Sequence, residues 1–328
     1  MTSTLKRLAA SLLVAGLALS IHGHAGAQEV TIRVAYENNP GEPLDQVMKH
    51  WQELIAERSG GEIALELYPS SQLGSKQDVT DQAIMGLNVV TITDVGFLAD
   101  YEPDVGVLFG PYLTDDMDKL FAIYDGEWFA EKRESLRQKG VHIVIPNLLY
   151  GTRHLISKRP VRTPEDMRGL KVRVPNNIMQ IRSFEAMGAT PTPMPLGETF
   201  SALAQGVIDG VENPVSVLYG QRFHEEAKYL NKIGYITNTA MFVGGEAFFS
   251  TLSEPHLQIV HETGYEAGLY SQQLMTSLDD ELIGKMQAEG VEVVEVDTEP
   301  FRALTQPVYE SFPEWSDGLY EEIQGQLQ

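Results

Sequence analysis

The sequence predicts an α/β protein built from two similar lobes, each with a parallel sheet and crossover helices. Three observations carry that expectation. Between Val30 and Thr93, strand-like runs alternate with amphipathic helical runs in a βαβαβ series. The same series starts again at Leu170 and closes near Glu212. The segments QDVTDQAIMGLNVVTIT and GETFSALAQGVIDGVEN also share a rhythm of short helix, glycine and strand ending in polar residues. This is read as two α/β lobes rather than one large sheet.

In the first unit, VTIRVAY alternates as a strand and stops at the turn-rich ENNPGEP. A helix over 44–58 places Leu44, Val47, Trp51, Leu54 and Ile55 on one face, and Ser59-Gly60-Gly61 ends it. A strand over 62–68, a helix over 78–85 closed by Gly86 and a strand over Val89–Thr93 complete the unit. A strand over 141–145 is expected to break at Pro146, before Tyr150-Gly151-Thr152-Arg153. In the second unit, strands are expected over 170–174, 190–194 and 207–212. Helices over 177–187 and 198–205 lie between them. Residues 242–249 read as a strand. Ser253, with Pro255 behind it, caps a helix running to about residue 288, roughly 35 residues and about 50 Å long. Gly264 and Gly268 are placed to bend it. A strand over 291–296 and an acidic helical tail from Glu299 finish the chain.

Residues 1–27 are expected to be a secretory leader. Lys6 and Arg7 precede an apolar stretch too short to span a bilayer, and Ala25-Gly26-Ala27 supplies small residues for cleavage. The formal charge is -22, and loss of Lys6 and Arg7 would make the mature chain two units more acidic. Such a surface repels nucleic acid and anionic lipid. The chain has no cysteine, which excludes thiolate metal sites and thiol nucleophiles, and leaves burial as its source of stability.

Arg173 stands out, because it lies in the middle of an apolar strand and cannot lose its charge. It is read as a bidentate clamp on a ligand carboxylate. A partner of an internal acid, or a member of a solvated face with Arg168 and Lys171, remains the other reading. Arg153 follows a strand and a glycine where one lobe passes into the other, a place that lines clefts. Glu212 and Asn213 end a strand, where side chains of parallel sheets face the ligand crevice. Asn176 occupies a similar strand end, as do Asn38, Thr93 and Asp94 in the first unit. No G-x-S-x-G, phosphate loop, G-x-G-x-x-G or H-E-x-x-H motif occurs, and His256 and His261 are too far apart for one helix face. No catalytic residue, metal or cofactor is expected. A two-carboxylate glycosidase is the enzyme class that this acid-rich chain leaves open.

The blocks SKRPVRTPEDMRGLKVRVPNN and AMGATPTPMPLGETFSALAQGVIDGVENP, with LYPSSQLGS earlier, resemble the solute-binding proteins of tripartite ATP-independent periplasmic (TRAP) transporters. The resemblance covers nearly all of the mature chain. It implies a two-lobed periplasmic binding protein fold with crossing strands and a long bridging helix. The expected lobes are 28–150 plus 239–278, and 151–238 plus 279–328. It further implies capture of an organic acid by lobe closure in the periplasm, and delivery by a monomer to membrane permease subunits. The family's carboxylate-binding arginine falls on Arg173, its second arginine on Arg153 and its strand-end asparagine on Asn213. Asn176, Asn38, Thr93, Asp94, Tyr150 and Glu212 complete the expected ligand set. Thr93 and Asp94 stand where sialate-binding members keep a glutamate, which speaks against sialate. The polar strand ends suit a sugar acid, namely a hexuronate such as glucuronate or galacturonate. An aldonate, diketogulonate, a C4-dicarboxylate and an aromatic acid are the alternatives.

Overall fold

A computed structural model describes residues 30–328. The expected leader lies outside the described residues. Nine strands form one sheet: β1 Val30–Ala35, β2 Ile63–Tyr68, β3 Val89–Thr93, β4 Val141–Ser157, β5 Lys171–Val174, β6 Thr190–Pro193, β7 Gly210–Pro214, β8 Tyr229–Gly245 and β9 Glu292–Val294. Their order is β2-β1-β3-β8-β4-β7-β5-β6, with β9 beside β8.

The repeat read from the sequence is present. In the first half β1 pairs in parallel with both β2 and β3, and in the second β5 pairs in parallel with both β6 and β7. Each unit therefore places its first strand in the middle. The expectation of separate sheets is corrected, because β4 and β8 run antiparallel to each other and join the two units into one sheet.

Both long strands were expected to be shorter. Pro146 does not end β4. It sits at a register shift between Ile145 and Leu148, one of four irregularities in the β4–β8 ladder, where a missing N–H is tolerated. The apolar run at 242–249 is the end of β8 followed by a helical turn, Glu246–Phe249. Phe249 is buried against the His142 ring, so burial rather than strand periodicity keeps this run apolar. The front of β8 escaped notice because it is polar. Asn231 is buried there, donating to the Leu155 carbonyl and to Ser157 Oγ and accepting from the Val161 N–H.

The single helix expected from Ser253 is two, Glu254–Thr276 and Asp279–Ala288, with Ser253 capping the first. The longer one lies on the helix Pro43–Arg58 and on β4. It supplies hydrogen bonds that the irregular β4 ladder lacks. Ser271 Oγ accepts from the Leu149 N–H at 3.0 Å, and Gln272 Nε2 donates to the Asn147 carbonyl at 2.9 Å. Gly264 and Gly268 permit this approach: a Cβ on Gly264 would lie 3.0 Å from Ile145 Cγ1, and one on Gly268 would overlap the Asn147 carboxamide. The C-terminal segment bridges the halves, because Phe301, Tyr309 and Ile323 share a core with Val105 and Leu108 of the first half and Val172 and Phe184 of the second.

Two glycines should therefore respond oppositely to alanine. Gly268→Ala is expected to lower the unfolding free energy by about 1–3 kcal/mol through overpacking. Gly284, exposed inside the helix Asp279–Ala288 with nothing within 4 Å of a Cβ, should gain about 0.5–1 kcal/mol as alanine. Urea unfolding of the two variants measures both.

Candidate functional site

The carboxyl ends of β1, β3, β5 and β7 converge on β4 and β8 around a polar cavity. From the first half come Glu37, Lys76, Ile92, Thr93 and Asp94. The long strands contribute Tyr150, Arg153, Asn238 and Ala240. From the second half come Arg173, Pro175, Leu196 and Asn213. An adjoining cleft shares Glu37, Lys76, Arg173 and Pro175 with it, so the two are neighbouring parts of one site.

The two arginines differ sharply. Arg153 is 4% exposed and fully engaged with protein. Its Nε donates to Glu212 Oε2 at 2.6 Å, its Nη2 to Glu212 Oε1 at 2.8 Å and its Nη1 to Asn238 Oδ1 at 2.6 Å. Glu212 is 0% exposed and also accepts from the Tyr235 hydroxyl at 2.6 Å and Gln180 Nε2 at 3.0 Å. Burial opposes the Arg153 charge, but Glu212 outweighs it and holds the guanidinium above its ordinary range. Burial also pushes the Tyr235 hydroxyl well up, with Glu212 adding to it.

Arg173 is 3% exposed and has no such partner. Its Nε and Nη2 donate to one main-chain carbonyl, that of Met194, at 3.0 and 2.8 Å. No carboxylate within the described residues forms an ion pair with it, and Nη1 makes no hydrogen bond there. Burial pulls it below the ordinary arginine range, partly offset by Glu212 and Glu37 at longer range.

Around this cation stand further unengaged polar groups. The Asn213 carboxamide, the Thr93 hydroxyl and the half-buried Glu37 carboxylate line the cavity without a side-chain hydrogen bond among the described residues. Buried polar groups are normally paired, so this set offers donors and acceptors to a polar molecule entering the cavity. Lys76 is paired with Asp94 at 3.1 Å and lies over the Phe97 ring. With that pair and the Arg153–Glu212 pair internally balanced, one cation, Arg173, and one anion, Glu37, remain unpaired.

Six of the nine residues singled out in the sequence therefore line the cavity: Arg173, Arg153, Asn213, Thr93, Asp94 and Tyr150. Asn176 lines the adjoining cleft. Asn38 and Glu212 sit one layer behind. Asn38 accepts from the Tyr150 hydroxyl at 3.0 Å, and Glu212 anchors Arg153. Lys76, Asn238 and Glu37 were not among the nine. Asn238, polar within a buried strand, carried a signal. Lys76, at the start of a helix, carried none.

The chain is similar to known solute-binding proteins. Residues 34–314 match the model of bacterial extracellular solute-binding protein family 7. A TRAP periplasmic solute-binding protein from Ochrobacterium anthropi, solved with bound L-fuconate, is 68% identical with a TM-score of 0.91, covering 92% of this chain and 100% of that one. Another from Actinobacillus succinogenes, with bound L-galactonate, is 40% identical with a TM-score of 0.89, covering 90% and 99%. A sialic acid-binding periplasmic protein of Vibrio cholerae is 29% identical over 309 residues, 94% of this chain and 95% of its own.

The buried Arg153–Glu212 pair makes Glu212 a structural residue. Glu212→Ala would leave a desolvated guanidinium unpaired and should lower stability by about 3–5 kcal/mol, read by guanidinium chloride unfolding without any ligand present.

Proposed function

The chain belongs to bacterial extracellular solute-binding protein family 7, and from that premise we propose that it captures a six-carbon aldonate in this cleft for a TRAP permease. The family binds solutes for transport and works in the periplasm. The expected leader would carry the chain there, as a monomer that has no business with nucleic acid. The ligand leaves chemically unchanged.

The observation that carries the reading is the bare guanidinium of Arg173 in a polar cleft. Arg173 takes the ligand carboxylate, adding charge-assisted bonds worth about 1.5–3 kcal/mol each. Arg153 shapes the carboxylate pocket from a fixed position. Asn213 and Thr93 meet hydroxyls, and Glu37 accepts from them. Glu37 also repels a second carboxylate, which disfavours a C4-dicarboxylate. An open-chain acid is preferred to the hexuronate expected from sequence for one reason. L-fuconate and L-galactonate, found in the two similar structures, are both aldonates and differ only at C6. A hexuronate presents the same carboxylate and much the same hydroxyls, so it remains the second reading.

Calorimetry tests both. The protein should bind L-galactonate or L-fuconate at micromolar affinity or tighter, about -8 kcal/mol, ahead of D-galacturonate and succinate. Arg173→Ala should bind at least about 100-fold more weakly, since it strips the partner from a buried carboxylate. Undiminished binding by that variant would refute the assignment, and a preference for galacturonate would move it to the second reading.

A further inference from the structure

We infer that Glu42 and Gln221 form a clasp between the two halves that sets ligand affinity from outside the cavity, tightening when the Glu42 carboxyl gains a proton. The inference takes the cleft as the ligand site proposed above.

Glu42 lies immediately before the helix Pro43–Arg58 in the first half and is 6% exposed. Part of what covers it belongs to the second half. The helix Val215–Gly220 ends against it, and Gln221 Nε2 donates to Glu42 Oε1 at 2.9 Å. Beside this contact, Asn39 Nδ2 donates to the Gly220 carbonyl at 3.3 Å. Gly220 has to be glycine for the halves to meet so closely, because a Cβ there would sit 2.5 Å from Glu42 Cδ. Separation of the halves would therefore return the carboxyl to water.

Among the described residues no cation answers this carboxyl. Its partners are the Asn39 N–H, the Asn38 amide and the Gln221 amide, all neutral. The neighbouring charges are adverse or engaged elsewhere. Asp45, one turn along the helix, is an anion held by Lys49 and by the Tyr36 hydroxyl. Glu37, on the loop before it, is another carboxylate. Arg222, next to Gln221, is paired with Glu225, and Arg153 is committed to Glu212. Burial consequently pushes Glu42 up to about 7 from the ordinary 4.5, against the pull of its hydrogen bonds.

The carboxyl reaches the ligand cavity through two residues. With Glu42 ionised, Asn38 Nδ2 donates to Oε2 at 2.7 Å, which leaves Asn38 Oδ1 to accept the Tyr150 hydroxyl. A proton on Oε2 reverses the sequence. The Asn38 carboxamide turns over, accepts from the carboxyl with Oδ1 and donates to the Tyr150 oxygen with Nδ2. Tyr150 lines the cavity, and its hydroxyl proton is then available to a ligand oxygen. Glu42, Asn38 and Gln221 act through Tyr150 and are positioning residues.

The linkage has a definite sign. The closed form holds the Glu42 proton more tightly than the open form, so the proton's contribution to closure is complete below 4.5 and is lost as pH rises through about 7. Between pH 6 and pH 8 that difference changes the closing equilibrium about tenfold.

Two measurements test this. Calorimetry with L-galactonate should show affinity falling about tenfold from pH 6 to pH 8, with Glu42→Gln removing most of that dependence. An unaltered slope in Glu42→Gln, or no slope in the parent, overturns the clasp. The second measurement needs no ligand. The chain contains no cysteine, so Met85→Cys and Val207→Cys, both exposed and one in each half, accept a pair of distance labels cleanly. The labels should draw together from pH 8 to pH 6, and should not in the Glu42→Gln background. If L-galactonate gives no heat at any pH, the ligand reading fails, and the labelled pair still decides the clasp by the same two outcomes.

Discussion

One unequal treatment of two buried cations governs this molecule. Arg153 and Arg173 reach the same cavity from the same half of the chain. Taking a guanidinium out of water costs several kcal/mol unless excellent partners replace the hydration. Arg153 receives a bidentate carboxylate and an amide oxygen, with Tyr235 and Gln180 fixing that carboxylate in turn. Arg173 receives one carbonyl. On the proposed reading, a guest that binds only the folded state would offset this cost, adding stability that grows with the logarithm of its concentration above Kd. An internal acid beside Arg173 would give a more stable protein with nothing left for a ligand.

Holding both cations in place requires a frame that is rigid along the sheet and still open between its halves. The parallel units aim their strand ends at a common centre, where Thr93, Asp94, Arg173 and Asn213 project. The connection is made by β4 and β8, and the register shifts of β4 flank Tyr150 and Arg153. A regular ladder would alternate its side chains strictly between two faces. The irregular one re-aims them, at the cost of unpaired backbone groups. The long helix Glu254–Thr276 repairs part of that loss with Ser271 and Gln272. Gly264 and Gly268, which resembled bending points, are instead the places where the helix comes close to β4.

This distinction between local and remote causes explains what the sequence revealed. Most of the short parallel strands were legible because they are apolar runs bounded by a turn or a glycine, as in Val89–Thr93, recovered residue for residue. Strand β7 was expected two to three residues too early because Val207 continues the apolar run, although it is exposed in the turn that follows a helix. Strands β4 and β8 were cut short because an antiparallel pair with bulges accepts Pro146 and buried polar residues such as Asn231, which local patterning reads as breaks. Arg173 was legible as an anomaly, a charge in an apolar strand. The partner that removes Arg153 from direct competition for the ligand lies 59 residues away in Glu212, and no local pattern joins them. Lys76 belongs to the site through its pairing with Asp94, which is also a tertiary fact.

The exterior and the site obey different electrostatics. A chain with a formal charge of -22 should repel an organic anion, yet at physiological ionic strength screening removes most of that force beyond about 8 Å. Inside the cavity screening is weak and the internally paired charges cancel. What an entering molecule meets is one unanswered cation and one unanswered anion. On the proposed reading, a monocarboxylate carrying hydroxyls would satisfy both at once, the acid at Arg173 and a hydroxyl at Glu37. A neutral sugar leaves the guanidinium bare, and a diacid sets its second charge against Glu37. On that reading, selection for a hydroxylated monoacid would follow from the local arrangement of charge rather than from the overall charge of the protein.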